Sequence, residues 1–88
     1  MDIEVWCYGR FRELATRRQI VTLEKGARLS DLAEWLIQAV GREFGEELEK
    51  NKSYTIMMNQ RYCSLSSDGD KLLRAGDIVV FFPLVAGG

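Results

Sequence analysis

From Met1 to Tyr8 the chain alternates. Ile3, Val5 and Cys7 fall on one side, and Asp2, Glu4, Trp6 and Tyr8 on the other. A period of two sends successive side chains to opposite faces of an extended backbone, so this stretch predicts a half-buried strand. Gly9 breaks the alternation. The RFREL segment after it predicts a short turn with Phe11 and Leu14 tucked underneath. Residues 19–26, QIVTLEKG, are rich in β-branched residues and close on a Lys-Gly turn, which predicts a second strand paired with the first as a hairpin.

The period then changes. Leu29, Leu32, Ala33, Leu36, Ile37 and Val40 form one stripe at helical spacing, with Trp35 at its margin. Ser30 is placed to cap the start of this helix, Asp31 to meet the positive end of its dipole, and Gly41 to end it in a left-handed conformation. Residues 42–50, REFGEELEK, are highly charged and carry only Phe44 and Leu48 as apolar residues. They predict a short exposed second helix or helical loop. YTIMMN reads as a third strand, NQRY as a tight turn around Asn59 into a brief strand over 61–65, and SSDGD and RAGD as turns. DIVVFF, residues 77–82, is a last strand with apolar residues on both faces.

Strands combined with one long amphipathic helix imply an α+β domain in which a mixed sheet of four to five strands packs one face on that helix. At 88 residues the chain has room for one core, and 47% apolar with 28% charged residues is the balance of an ordinary globule. The domain is expected over 1–82, with a tail over 83–88.

Composition then removes several classes of function. The net charge is −1, and Arg17-Arg18 is the one adjacent basic pair, which argues against nucleic-acid binding through a basic surface. There is no histidine, and Cys7 and Cys63 lie far apart, so neither a metal site nor a nucleophile–base pair is expected. No bound cofactor is expected either. No apolar run approaches a membrane span, and the thiols fit a reducing compartment, so the expected location is the cytoplasm, away from membranes.

The chemistry left over lies at the end, FFPLVAGG. Pro83 has no N–H to give a sheet and so ends the last strand. Fully extended, the residues from Pro83 to Gly88 reach about 20 Å. Glycine lacks a side chain, so Gly87 and Gly88 fit a channel too narrow for other residues. A carboxylate on Gly88 is inert until activated as an acyl-adenylate, whereupon sulfur or nitrogen can attack it. If the native chain continues beyond Gly88, a protease must act first.

Three segments, YGRFREL (8–14), MNQRY (58–62) and LRAGDIVVFFPLVAGG (73–88), resemble the small subunit of molybdopterin synthase and related ubiquitin-like sulfur carriers. The resemblance spans the whole length of the chain and implies a β-grasp fold with the first and last strands parallel and adjacent at the sheet centre. It implies that Gly88 is adenylated by an E1-like enzyme using ATP, becomes a thiocarboxylate and delivers sulfur to a pterin precursor. Gly87 would thread the large subunit's channel. The implied partners are that enzyme and the large subunit, in a heterotetramer. Family tails often read Pro-Pro where this chain has Pro83-Leu84. Within that fold Trp6, Tyr8, Tyr62 and Phe82 emerge on the sheet face away from the helix and read as a docking surface. Pro83, Leu84, Val85 and Ala86 continue it as a tether, and Arg10 and Arg12 are candidates for a polar rim. The alternatives are a carrier for thiamine, cysteine or tRNA sulfur, a modifier joined to lysines through Gly88, and an interaction module whose Gly-Gly ending is incidental.

Overall fold

The computed structural model describes residues 1–50 and 55–83. In chain order its elements are β1 (Asp2–Cys7), α1 (Gly9–Leu14), β2 (Arg18–Thr22), α2 (Leu29–Val40), α3 (Arg42–Lys50), β3 (Ile56–Met58), β4 (Arg61–Cys63), α4 (Leu65–Asp68) and β5 (Ile78–Phe81). The five strands form one sheet in the order β2-β1-β5-β3-β4. β1 pairs antiparallel with β2 and parallel with β5, and β3 pairs antiparallel with both β5 and β4. This is the mixed β-grasp sheet, with the first and last strands side by side and β5 in the middle.

The period-two pattern of β1 is realised in full: Ile3, Val5 and Cys7 are buried, while Asp2, Glu4 and Trp6 face the other way. The ladder carries that parity across the sheet. Cys7, Phe81, Ile56 and Cys63 lie in register, and all four are buried. On the opposite face Trp6, Val80, Met57 and Tyr62 form the matching row. A one-residue slip would exchange these rows and put four buried side chains into water, which is why the register is firmly set.

The long helix forms where its stripe predicts, with Leu29, Leu32, Ala33 and Leu36 buried. Its start differs from the sequence reading. Arg28, not Ser30, is the N-cap, and Ser30 already lies inside the first turn. The carboxylate of Asp31 accepts the backbone N–H of Arg28 at 2.8 Å, so the acidic residue expected to act through the dipole also takes up an orphan donor. Gly41 ends α2 with φ +115°, positive as expected of a terminating glycine.

Residues 42–50 correct a second expectation. They form a helix, but it is no exposed appendage. Phe44 is fully buried and Leu48 nearly so. The Phe44 ring lies 5.1 Å from that of Phe11 and 5.3 Å from that of Phe81, and Phe11 and Phe81 are 5.9 Å apart. Three rings from α1, α3 and β5 thus make one aromatic cluster at the end of the sheet where β1 and β5 both finish. The RFREL turn closes into α1 because burying Phe11 there stabilises a single helical turn that would not persist alone. The start of SSDGD likewise joins Leu65, read as the end of a strand, in the short helix α4, capped by Ser64, whose hydroxyl accepts the N–H of Ser67 at 3.2 Å. The strands are shorter than read: 19–26 shrinks to Arg18–Thr22, 61–65 to Arg61–Cys63, and 77–82 to Ile78–Phe81. The turn at Asn59-Gln60 has positive φ at both residues, +49° and +71°, the signature of a tight hairpin loop.

Candidate functional site

Just past β5 the chain is held from three sides at Phe82 and Pro83. The Tyr8 N–H donates to the Phe81 carbonyl at 2.9 Å, extending the β1·β5 ladder past its last pair. From the other side, the Phe82 N–H donates to the Thr55 carbonyl at 3.0 Å, and the Thr55 hydroxyl donates to the Phe82 carbonyl at 2.5 Å. Pro83 then turns over Gly9. A Cβ on Gly9 would stand 2.5 Å from Cγ and 2.7 Å from Cδ of Pro83, well inside contact distance. Gly9 also has φ +58°, so the position excludes a larger residue both through its own backbone and through the proline above it. β5 ends at Phe81, and Pro83 has no N–H to give a ladder.

Beside this point the helix-free face carries the four aromatic residues expected there. Tyr8 and Tyr62 are exposed, and Trp6 and Phe82 are half-buried. Phe81 goes to the core and Phe82 to the open face, which settles their alternation. Tyr62 and Phe82 meet edge to face at 5.9 Å, while Trp6 and Tyr8 lie near-parallel at 6.5 Å. Val80 and Met57 fill the row between Trp6 and Tyr62. The rings that meet Phe44 of α3 are those of Phe11 and Phe81, whose side chains belong to the core. The apolar surface extends along the same face through Ile78 and Ile20, which flank Glu4 in register and are 43% and 50% exposed. A face this apolar on so small a domain reads as an association surface.

Trp6 is more constrained than its place in the row implies. Its indole N–H donates to Glu4 at 2.5 Å, Glu4 is gripped by Arg18 through bonds of 3.1 and 3.2 Å, and the Arg18 guanidinium lies 5.6 Å from the indole centre. The Arg18 hydrogen bonds and then the Trp6 N–H hold the Glu4 carboxyl below its ordinary value. The indole is thereby fixed in plane, with a charged rim. Of the two arginines proposed as rim, Arg10 is paired with Glu13 and with Glu43 of α3, at 3.4 and 3.3 Å.

Neither cysteine belongs to the site. Both are free and buried. Burial pushes the Cys7 thiol up to about 11 and raises that of Cys63. The two face the core in one register row, separated by three strand spacings or about 14 Å, far beyond disulfide range. Among the described residues no group of three His, Cys, Asp or Glu side chains is arranged to hold a metal ion, and no helix is long and apolar enough to cross a membrane.

Gly9, Thr55, Glu4 and Arg18 were not selected from the sequence. Gly9 carried a signal, since a glycine directly after a strand often marks a close approach. Thr55 carried none until its register opposite Phe82 was known. Leu84, Val85, Ala86, Gly87 and Gly88 lie outside the described residues.

A mixed five-stranded sheet with its first and last strands parallel and adjacent, packed on one long helix, has the build of the ubiquitin-like fold. The chain belongs to the ThiS family, ubiquitin-fold sulfur carriers, whose family model matches residues 5–88. Among solved structures it is similar to a Pyrococcus furiosus protein bearing the provisional name molybdopterin converting factor, subunit 1. The two are 28% identical with a TM-score of 0.75, over 97% of this chain and 99% of that one. In fold it also matches the small archaeal modifier protein 1 of Methanosarcina acetivorans, 20% identical, TM-score 0.76, over 99% and 96% of the two chains. A third match comes from the complex of subunits 1 and 2 of the Helicobacter pylori molybdopterin-converting factor, 20% identical, TM-score 0.66, over the whole of both chains. No curated protein sequence matches the chain.

Proposed function

We propose that the chain is the small, sulfur-donating subunit of a molybdopterin synthase. In this reading an E1-like enzyme spends ATP to adenylate the Gly88 carboxylate. Hydrosulfide from the sulfur donor then attacks the acyl carbon, the bond to AMP breaks and AMP leaves, and the resulting thiocarboxylate delivers its sulfur to a pterin precursor within the large subunit and returns to a carboxylate. The domain supplies no acid, base or metal to these steps. It is the handle, acting in the cytoplasm and docking as part of a heterotetramer through the face that carries Trp6, Tyr8, Tyr62 and Phe82.

The observation that carries the reading is the juxtaposition at the end of β5. The root of the tail is pinned at Phe82 and Pro83 directly beside an apolar, aromatic-rich sheet face. Docking through that face would set the origin of a glycine-ended tail at a fixed place on the partner's surface. The family membership and the likeness to a molybdopterin converting factor subunit support the same reading.

The test combines the protein ending at Gly88 with an E1-like enzyme, ATP and a sulfur donor, followed by intact-mass measurement. The expected product has one oxygen replaced by sulfur and is absent when Gly87 and Gly88 are deleted. Failure with cognate activating enzymes would sink the proposal. Lysine adducts carrying a Gly-Gly remnant, without sulfur transfer, would assign the chain to protein modification instead.

A further inference from the structure

We infer that Thr55 is a positioning residue that aims the tail, an inference that rests on Gly88 being the reacting end. β5 stops at Phe81, and the next residue but one is Pro83, which brings no N–H to continue the ladder. Unassisted, the Phe82 peptide would be free to swing about its own φ and ψ. Thr55 prevents this by holding both ends of the residue, its carbonyl accepting the Phe82 N–H at 3.0 Å and its hydroxyl donating to the Phe82 carbonyl at 2.5 Å. Thr55 is 3% exposed, so water competes little for either bond. It is also one of only two buried polar residues among those described. The hydroxyl would lose little by being a methyl unless that carbonyl needed holding.

The placement matters through leverage. Five residues follow Pro83 and span at most about 17 Å when extended, so a 20° swing at the root moves the tip by about 6 Å. A displacement of even about 1 Å in a reacting group is enough to cost rate. Docking spreads over the whole sheet face, of which Thr55 holds only Phe82, whereas delivery of the tip depends on the root itself. Loss of the hydroxyl is therefore felt more in the chemical step than in the docking step.

The experiment compares wild type, Thr55→Val, which keeps the shape, and Thr55→Ser, which keeps the hydroxyl. Thiocarboxylate formation is followed by intact mass over a range of carrier concentrations, at a temperature where urea titration shows all three folded. Thr55→Val is expected to lower kcat about five- to tenfold, the equivalent of one net hydrogen bond, with KM changed less than about twofold because Trp6, Tyr8 and Tyr62 still dock. Thr55→Ser is expected to restore it to within about twofold. Equal kcat for the Val variant, a deficit confined to KM, or no rescue by Ser would overturn the inference. A second measurement needs no sulfur chemistry: the ¹⁵N order parameter of Phe82 should be about 0.85 in wild type and fall in Thr55→Val while β1 is unchanged. An unaltered Phe82 would overturn the clamp itself. A wild type that forms no thiocarboxylate but shows the order-parameter change would refute the proposed function and leave the clamp standing.

Discussion

Replacing Phe44 by alanine tests whether the charged helix α3 is part of the core. Its ring is fully buried, 5.1 Å from Phe11 and 5.3 Å from Phe81, so truncation opens a void bounded by two other aromatics. Burying a Phe and then deleting it costs about 3–5 kcal/mol in well-packed cores. The two ring contacts place this site towards the upper part of that range, since such pairs add about 0.5–1.5 kcal/mol beyond area burial. A domain of 88 residues has about 4–13 kcal/mol in total, so the variant should lose a third or more of its stability. At about 4–8 °C per kcal/mol, a loss of about 4–5 kcal/mol should lower the midpoint of thermal unfolding by roughly 16–40 °C. The assay is urea and thermal unfolding followed by far-ultraviolet circular dichroism, with Trp35→Ala as the comparison on a 38% exposed position. A Phe44→Ala loss below about 1 kcal/mol, or no larger than that of Trp35→Ala, would refute the placement of α3 in the core.

Three further outcomes follow from the geometry. Gly9→Val should destabilise by about 1–2 kcal/mol or more and exceed Gly26→Ala in thermal melts. Both positions have positive φ, but only Gly9 lies against another side chain, that of Pro83; equal effects would remove the proposed seat. Glu4 has its pKa lowered in the folded state by Arg18 first and Trp6 second, so its contribution is present above the ordinary value of 4.5 and is lost as pH falls through the lowered one. Wild type should therefore melt higher than Glu4→Gln at neutral pH, with the gap closing in acid; a gap that widens in acid would contradict the assignment. Cys7, at about 11 against an ordinary 9.0, should alkylate at least about a hundredfold more slowly in native than in urea-unfolded protein, since its thiolate fraction is that much smaller. Rapid native labelling of Cys7, read by peptide mass mapping, would show the thiol to be accessible.

The elements whose periodicity is long were legible from the start. The alternation of β1 and the stripe of α2 each repeat often enough to identify both the element and its buried face. α3 was misjudged because nine residues with two apolar positions look like a solvated helix, and nothing local reveals that Phe44 meets Phe11 and Phe81 from distant parts of the chain. The cap of α2 was misassigned for a related reason. Serine is the better capping residue, yet the chain direction is set by the bridge between Arg28 and Leu72, which places the first helical turn two residues earlier. At the site, the aromatics followed from strand parity. The clamp on Phe82 depends on a cross-strand register that pairs residues 27 apart, and no sequence window contains it.

The position of β5 has a consequence for synthesis. The strand that joins the two halves of the sheet is the last of the five to leave the ribosome, so β1 with β2, and β3 with β4, can form only as separate hairpins until it arrives. Each hairpin alone is marginal in water. The cavity between them closes when β5 inserts, and the same event seats Phe82 and Pro83. Any partner that docks on the finished sheet face would therefore meet a seated Phe82 and Pro83 only on molecules that have completed folding. The topology itself discriminates between finished and unfinished copies.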